Sequence, residues 1–358
     1  METADAVIAG GGVVGCALAY QLARRGVSVV LVERDELGSQ STARCAGGVR
    51  QQFSSETNVR LQRLAVRELL GFHEETGGHA DFRQIGYLFL LTRPEQEADF
   101  RNLLCAWHRL GLTEARWVDA AEARELVPVL AVDDVLGGTF CPSDGLASPA
   151  DVTAGYAAAA RRLGATAEGG IATPLVFDCA GAWSADIGRM AGVDVPVRPF
   201  RRHVLVTDAF PEVPRTTPMT VDFATSLYFH PEGDGVLIGM SDRQEPSTYQ
   251  ADVNWDFLEL MVEAAGRRLP VLERAGVRTA WAGLYESTPD HQAILGPVRD
   301  VEGFWCACGF SGHGFMQAPA VGLVLAQLLL DGRSEVDVSR FGHDRFARGE
   351  LVAERNVI

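Results

Sequence analysis

One stretch near the start of the chain, residues 5–34 (DAVIAGGGVVGCALAYQLARRGVSVVLVER), constrains the fold more than any other part of the sequence. A short apolar run at 6–9 leads into six residues that contain four glycines, and a helical pattern follows as far as Gly26. A second apolar run at 27–32 ends at Glu33. This order predicts a strand, a tight turn, a helix, a second strand and an acid, the arrangement that binds an adenine dinucleotide.

The residues of this turn have separate expected tasks. Gly10 permits the tight turn, Gly12 lets a pyrophosphate approach the backbone, and Gly15 lets the helix pack against the strand. The helix N-terminus offers N–H groups and a partial positive charge to the phosphates, and Glu33 is placed to accept a hydrogen bond from a ribose hydroxyl. A glycine-rich turn without a ligand is the alternative, and the two strands and the acid argue against it.

Charge and hydropathy exclude several classes of partner. The 358 residues are 47% hydrophobic, enough for a large core, and carry a net charge of −15. Nucleic acid and anionic membranes need clustered positive charge, so neither is an expected partner. The longest apolar stretch, 315–330, is interrupted by Gln317, Pro319 and Gln327, so we expect a buried helix there and no membrane span.

The cysteines and the N-terminus bear on the compartment. The seven cysteines are odd in number and show no CxxC spacing, which indicates reduced thiols and offers no metal-ligand pattern. Acids stand near the N-terminus where a secretory signal would be basic. We therefore expect a cytoplasmic protein without a metal site.

The remaining elements alternate between two patterns. Helical spacing is found at 59–72, 97–110, 119–126, 150–163, 255–268 and 315–330. Strand patterns are found at 202–208, 226–242 and 303–308, the second being a hairpin that turns at 232–235. The order predicts an α/β chain that leaves a dinucleotide-binding domain, builds an antiparallel, β-rich substrate layer and then returns.

Residues 38–50 (GSQSTARCAGGVR) follow the second strand and carry small polar groups. Ser39, Ser41 and Thr42 can hydrogen-bond a pyrophosphate, and the Gly47–Gly48 pair allows a flat ring to pack on the backbone. Arg50 then sits where a substrate anion can reach it. A flexible surface loop is the alternative interpretation.

Two more glycine turns suggest close approach of a ligand. The segment 177–184 (FDCAGAWS) places Ala180-Gly181 directly after an apolar strand, and Trp183 is a core residue or a ligand wall. The segment 309–316 (GFSGHGFM) opens a long helix, whose N-terminus would stabilise negative charge on a reduced flavin. His313 adds to this field or holds the turn through a backbone hydrogen bond.

A fourth block, 281–296 (WAGLYESTPDHQAILG), combines aromatic residues with a Thr-Pro-Asp turn. Tyr285 and His291 are candidate site residues there, and each also has a structural interpretation.

These four blocks, in this order, resemble the FAD-dependent D-amino-acid oxidase superfamily, in its branch of sarcosine oxidases, dimethylglycine dehydrogenases and heteromeric proline dehydrogenase β-subunits. The resemblance implies a Rossmann-type FAD-binding domain (1–75, 140–195 and 280–358) and an antiparallel β-sheet substrate-binding domain (76–139 and 196–279). It also implies oxidation of the C–N bond of a small secondary amino acid such as sarcosine, dimethylglycine or proline. Hydride would pass to flavin N5 and leave an imine.

The resemblance also assigns the cofactor-binding residues. They are Gly10, Gly12, Val13, Val14, Gly15, Glu33, Arg34, Ser41, Thr42, Ala46, Gly47, Gly48, Ala180, Gly181, Trp183, Gly283, Gly309, Ser311, Gly312, His313, Gly314, Phe315 and Met316.

Several positions depart from the family pattern. Gly283 stands where monomeric sarcosine oxidases have the cysteine that bonds the flavin, so we expect non-covalent FAD. Met316 and Leu237 replace two lysines, one that binds the substrate carboxylate and one that promotes reaction with oxygen, and Ser241 replaces a histidine. A dehydrogenase that passes electrons to a carrier or partner subunit is therefore favoured over an oxidase that uses O2.

The substrate site must then rest on other residues. Tyr285 replaces the arginine of the glycine oxidase branch, so the carboxylate clamp falls to Arg50 or to a residue of the β layer such as Arg202. An aromatic pocket lowers the pKa of the substrate amine. The walls would come from Tyr228, Phe229, Tyr285 and Trp183, and the proton would go to His230 or His291.

One deletion bears on cofactor affinity. The segment 164–176 is short, although the family has three strands there, one of which contacts the adenine.

Three alternatives remain. The first is a D-amino-acid or glycine oxidase, and the second is a non-catalytic flavoprotein assembly or scaffold subunit. The third is a nicotinamide dehydrogenase, against which the second glycine turn at 309–314 argues.

Overall fold

A computed structural model describes residues 2–166 and 171–358. The strands are β1 (Glu2–Thr3), β2 (Ala6–Ala9), β3 (Val29–Val32), β4 (Gly48–Val49), β5 (Tyr87–Leu91), β6 (Arg116–Val118), β7 (Gly137–Cys141), β8 (Gly145–Leu146), β9 (Ile171–Ala172), β10 (Val176–Asp178), β11 (Arg198–Thr207), β12 (Met219–Asp222), β13 (Leu227–Glu232), β14 (Gly235–Met240), β15 (Val277–Ser287), β16 (Ile294–Pro297) and β17 (Phe304–Cys308). The α-helices are α1 (Val13–Ala23), α2 (Glu56–Leu70), α3 (Phe72–Thr76), α4 (Pro94–Arg109), α5 (Ala120–Leu126), α6 (Pro149–Arg162), α7 (Ser184–Met190), α8 (Trp255–Arg268), α9 (Gly314–Asp331) and α10 (Arg345–Arg348).

The first sheet is the predicted dinucleotide-binding sheet. In the described residues its strand order is β16-β17-β10-β2-β3, parallel except for β16. Helix α1 packs between α6 and α9, and every residue of α1 is buried as a result. Short strands of Val, Ile and Leu joined by a helix are the expected sequence of a parallel sheet that is covered on its faces. The predicted strand, turn, helix and strand at 6–32 are confirmed.

The second sheet carries the order β15-β11-β14-β13-β12-β5-β7-β6 within the described part of the chain. Its pairs are antiparallel except β5–β12, which is parallel, so the substrate layer differs from the expected antiparallel sheet at one pair. The predicted hairpin is confirmed as β13–β14. Helices α5 and α8 cover the outer face, where their apolar residues join those of the sheet in one core cluster. The mixed α/β architecture agrees with the predicted fold class.

The shortened segment forms little regular structure where it is described. Thr166 makes a parallel bridge to Val30 beside β3, and β9 pairs with β1. Positions 167–170 lie outside the described residues, so the prediction for this segment is not decided there. The two-domain division also stays a prediction. The predicted domain boundaries at 139 and 279 fall inside strands β7 and β15 of the second sheet.

The long apolar helix near the end of the chain belongs to the core. By length and composition α9 could cross a membrane, but 61% of it is buried inside the protein. It packs against α1 and α2.

Candidate active site

A cavity of about 530 Å³ lies between the two sheets and gathers most of the predicted site residues. Of the predicted cofactor residues, those that line it are Gly10, Gly12, Val13, Val14, Glu33, Arg34, Ser41, Thr42, Ala46, Gly48, Ala180, Gly181, Trp183, Gly283, Ser311, Gly312, His313, Gly314, Phe315 and Met316. Of the predicted catalytic residues, Arg50, Tyr228, Tyr285 and His313 line it as well. The four motif blocks therefore converge on one space.

Three predicted cofactor glycines lie behind the cavity wall and serve the backbone. A Cβ atom on Gly15 would overlap the carbonyl oxygen of Gly10, which is the helix-to-strand packing that the sequence predicts. Gly47 and Gly309 have φ values of +74°, in the left-handed region, and a side chain on either would collide with a neighbouring segment. These glycines shape the turns whose neighbours line the cavity.

The N-terminus of α1 is prepared for a phosphate group. Its N-cap residue is Gly12, which has no side chain to occupy the end of the helix. The Val13 N–H donates to Oγ1 of Thr42 over 3.2 Å, which fixes the following loop beside the helix. The Gly11 N–H donates to Oε2 of Glu33 over 2.7 Å, so the acid holds the turn as well as facing the cavity.

The N-terminus of α9 faces the cavity from the other side. No side chain caps this helix among the described residues, and its first turn carries no acid. Ser311 and Gly312 both have positive φ, at +53° and +93°, which turns the chain from β17 into the helix. This second uncapped helix end supplies positive potential to one end of the cavity.

Arg50 is buried and already has partners. Its guanidinium donates through Nη1 to the Gln52 carbonyl over 2.9 Å and through Nη2 to the Asn356 carbonyl. Nη2 also lies 3.1 Å from Nε2 of His313. The plane of the guanidinium covers the Phe53 ring at 4.2 Å. Most of the donors of Arg50 are therefore committed to the protein, although the residue borders the cavity.

The two histidines that were expected to accept a proton do not line the cavity. His291 has φ +56° in the turn after Pro289, where its ring is partly buried outside the cavity wall. His230 is buried in β13 and its Nδ1 contacts the Pro231 carbonyl at 2.9 Å. Burial lowers the pKa of His230 to about 4. Phe229, an expected wall residue, points into the outer core instead, because side chains alternate along β13.

Arg202 on β11 is a cavity cation with fewer committed donors than Arg50, whose Nε alone has no partner in the described residues. It lines the cavity beside Tyr285, whose ring centre lies 5.2 Å from its guanidinium carbon. Nη1 donates to the Arg201 carbonyl, whereas the buried Nε has no partner among the described residues. Burial lowers the pKa of Arg202 from its usual value. A half-buried cation with spare donors is suited to a carboxylate.

The aromatic wall around Arg202 has three tyrosines, of which sequence reasoning missed Tyr87. Tyr87, Tyr228 and Tyr285 all line the cavity, with Val204 and Met219 from neighbouring strands. We call these five residues with Arg202 the substrate compartment. Tyr87 carried no signal, since an aromatic residue in an apolar strand is most often core.

Glu286 is a second residue that the motifs did not identify. It lines the cavity next to Tyr285, with Oε2 buried and without a partner in the described residues. Burial raises the pKa of this carboxyl to about 8. The sequence gives no signal for it, because an acid beside a Thr-Pro-Asp turn is ordinarily a surface residue.

One buried cluster has the composition of a metal site. Asp178, Cys306 and Cys308 each place a ligand atom within 4.8 Å of the others. A hydrogen bond to Cys306 and burial together raise the pKa of the Cys308 thiol, which holds it in the protonated form that does not bind metals. The absence of a metal site stays a prediction.

The cavity as a whole fits an FAD molecule. Two uncapped helix N-termini and glycines at close approach match the phosphates and the flat ring, and the volume is that of a cofactor pocket. Buried polar atoms along it, among them Ser39 Oγ, Glu286 Oε2 and Arg202 Nε, have no protein partner in the described residues. A ligand rich in hydroxyl and phosphate oxygens would satisfy them.

Comparison with known proteins also indicates an FAD-dependent protein. The family model described as "FAD dependent oxidoreductase" (DAO) matches residues 5–328. L-proline dehydrogenase from P. horikoshii superposes with a TM-score of 0.92 at 32% identity, over 98% of this chain and 99% of that one.

Curated relatives include sarcosine dehydrogenase of Homo sapiens, 31% identical over 99% of this chain and 43% of that protein. Dimethylglycine dehydrogenase of Rattus norvegicus is 30% identical over 97% of this chain and 45% of that protein. The chain thus spans less than half the length of these two relatives. The match over 5–328 and the agreement with a complete solved chain show that this protein belongs to the DAO family of FAD-dependent oxidoreductases.

Proposed function

We propose that the chain oxidises the C–N bond of a small secondary or tertiary amino acid, of the class of sarcosine, dimethylglycine or proline, and releases an imine from a secondary amine or an iminium ion from a tertiary one. The names of three relatives support this class: sarcosine dehydrogenase, dimethylglycine dehydrogenase and L-proline dehydrogenase. When bound, FAD supplies the hydride acceptor at N5. The protein supplies position, a dry environment and the electrostatic field.

The observation that carries the proposal is the position of Arg202. It is a half-buried cation with spare donors that lines the cavity together with three tyrosines. A single carboxylate would pair with it in a low-dielectric setting, where charge-assisted hydrogen bonds are strong. The apolar side chains of Val204 and Met219 leave room for N-alkyl or ring carbons rather than for a second charge. We therefore favour a monocarboxylate.

The same compartment favours a neutral substrate amine. The described residues of the substrate compartment include no carboxylate and no histidine that would stabilise an ammonium. The positive charge of Arg202 and the low dielectric both disfavour protonation of a nearby amine. We propose that the amine binds after losing its proton to solvent, without a protein base such as His230 or His291.

The electron acceptor is proposed to be a carrier or partner subunit rather than O2. All 32 basic residues of the sequence are arginines, so no lysine anywhere in it can take the oxygen-activating role. Leu237, in the place of that lysine, is buried in β14 between Val206 and His230. The cytoplasmic location stays a prediction from the sequence.

The test is an anaerobic titration of the FAD-loaded protein with sarcosine, dimethylglycine, L-proline and D-alanine, followed by visible absorbance. Bleaching of the flavin bands by one of the first three supports the proposal and ranks the substrates. Bleaching by D-alanine alone would move the protein to the D-amino-acid oxidase class. Bound FAD that none of these amines reduces would favour the non-catalytic scaffold alternative.

A further inference from the structure

Glu286 is a half-buried acid that the proposed chemistry does not use. It stands near the end of β15, and its Oε1 accepts the Phe310 N–H over 3.4 Å. Oε2 is buried, has no hydrogen-bond partner among residues 2–166 and 171–358, and borders the cavity. A buried polar oxygen is destabilising when nothing pairs with it, so such an atom at a cavity wall indicates a ligand contact.

The neighbours of Oε2 show which part of the cofactor it would meet. A Cβ atom on Gly181 would lie 2.8 Å from Oε2, so the carboxyl packs on the turn after β10. The same turn covers Gly10, because a Cβ there would overlap the Cys179 carbonyl. Gly10 belongs to the turn at the N-terminus of α1, where a pyrophosphate is expected.

The other side of Glu286 touches the opposite helix end. Its backbone carbonyl accepts the Ser311 N–H over 2.9 Å, in the turn that opens α9. Glu286 therefore lies between the two helix N-termini that face the cavity. In a flavin dinucleotide, the chain of hydroxyl groups joins the pyrophosphate to the ring system.

We propose that Glu286, as a neutral carboxylic acid, hydrogen-bonds a hydroxyl group of the ribityl chain of FAD through Oε2. This inference rests on the proposed use of FAD. This contact lies outside the glycine motifs of the fold, and Glu286 makes it in the protonated state.

The charges around the carboxyl support the neutral form. Within residues 2–166 and 171–358, the ionisable groups that act on it are Asp178 at the end of β10, Cys179 in the next turn and Cys308 at the end of β17, and none of these three is a cation. The pyrophosphate of FAD adds further negative charge. Burial raises the pKa of Glu286 to about 8, with Asp178 acting in the same direction. A neutral acid both donates to and accepts from a hydroxyl, whereas a carboxylate would also be repelled by the phosphates.

The affinity for FAD should then depend on pH. As the pH rises through the pKa of Glu286, the acid ionises and the affinity falls. We expect the dissociation constant of wild-type apoprotein for FAD to rise about tenfold between pH 6.5 and 9.5, which is the effect of about 1.4 kcal/mol.

The test measures FAD binding by quenching of flavin fluorescence in wild-type, E286Q and E286L apoproteins across that pH range. E286Q keeps a neutral hydrogen-bonding group, so we expect a dissociation constant within about threefold of wild type at pH 6.5 and little change up to pH 9.5. E286L removes the contact and should weaken binding about tenfold at pH 6.5. E263Q is the matched control, because Glu263 is an exposed residue of α8 paired with Arg267, and it should behave as wild type.

Three results would overturn the inference. If E286L bound FAD as tightly as wild type, the proposed hydrogen bond between Glu286 and FAD would be disproved. If E286Q kept the full pH dependence of FAD binding, ionisation of Glu286 would not be its cause, and the assignment of a neutral acid would be wrong. Wild-type apoprotein that fails to bind FAD at pH 6.5 would overturn the proposed function itself, and the inference with it. Circular dichroism spectra of the variants separate loss of this contact from loss of the fold.

Discussion

Nη2 of Arg50 lies 3.1 Å from Nε2 of His313, and this contact fixes the protonation of the histidine. Because a guanidinium only donates, Nε2 must accept, and the ring is neutral with its proton on Nδ1. Burial and the charge of Arg50 lower the pKa of His313 well below its usual value. His313 therefore contributes a dipole, not a full charge, to the field at the start of α9.

Because Arg50 has several hydrogen-bond partners within the protein, we expect its loss to lower the stability of the fold. R50M leaves the Asn356 carbonyl and Nε2 of His313 without a donor, while the Gln52 carbonyl keeps the side-chain amide of Asn356, so we expect the free energy of unfolding of the apoprotein to fall by about 3 kcal/mol. Urea denaturation followed by circular dichroism measures this. R60M, at an exposed residue of α2 paired with Glu56, is the control and should stay within about 0.5 kcal/mol of wild type.

The same variant tests the expectation that Arg50 binds the substrate carboxylate. An R50M protein as stable as wild type, but with a steeply raised KM, would restore that role to Arg50 and contradict the structural one.

Loss of Arg202 should affect substrate binding rather than stability, the reverse of what we expect for Arg50. R202M removes spare donors that face the substrate compartment, so KM for the best amino acid should rise about 100-fold, as expected for a lost charge-assisted pair of 2–3 kcal/mol. Steady-state kinetics with a dye acceptor give KM and kcat separately. R267M, on the exposed face of α8, is the matched control. A KM that R202M leaves within threefold of wild type would place the carboxylate elsewhere.

The buried Asp144 predicts how stability depends on pH. It accepts hydrogen bonds from the Gln51 N–H and from the amide groups of Gln51 and Gln52, yet burial raises its pKa from 3.8 to about 7. Between these values the folded state keeps a proton that the unfolded chain has released. Stability should therefore fall as pH rises from about 4 to 7, and level off above that range.

D144N removes this titration. We expect its melting temperature to fall less than that of wild type between pH 5 and 7.5, measured by calorimetry on apoproteins. Equal slopes for the two proteins would show that Asp144 is already ionised when folded. The difference between the proteins is the relevant quantity, because Asp178 and Glu286 contribute slopes of the same sign.

Flavin attachment can be tested directly. Gly283 lines the cavity and offers no nucleophile. Burial raises the pKa of Cys45 to about 11 and also raises that of Cys179, the two thiols that border the cavity among the described residues. A protonated thiol is a poor nucleophile. Acid precipitation of the loaded protein should therefore release all of the flavin into the supernatant, where absorbance measures it. A pellet that retains flavin absorbance would contradict non-covalent binding.

The sequence predicted the fold, and it identified most of the residues that line the cofactor half of the cavity, for a physical reason. The glycine turns at 10–15 and 309–314 have backbone conformations and close contacts that a side chain would disrupt, and that requirement is local in sequence. The turn at 179–181 joins them because parallel strands end at one edge of a sheet.

The sequence identified fewer of the residues that line the substrate half of the cavity, because this depends on which side chains of each strand point toward the cavity. Tyr87 and Arg202 reach the cavity from β5 and β11, which are far apart in sequence, while His230 and Phe229 do not reach it although they adjoin Tyr228. The pairing partners of Arg50 lie at Asn356 and His313, about 300 and 260 residues away, and no local pattern reveals them.

Gly312 links the cofactor half to the substrate half, because its missing side chain makes room for Tyr285. It has φ +93°, and a Cβ atom there would overlap the Tyr285 ring. G312A should therefore strain the turn and push the ring toward the substrate compartment, so we expect FAD binding to weaken about tenfold or more and KM to rise. Fluorescence titration with FAD measures the first effect.

G266A is the control for this substitution, since Gly266 lies inside α8 with nothing within 4 Å of the added atom. It should bind FAD as wild type does and be more stable by up to about 1 kcal/mol, because alanine favours the helix over glycine. If G312A bound FAD with wild-type affinity, the turn would be shown to yield without moving Tyr285. The tight contact between the two halves of the site would then have no bearing on cofactor binding.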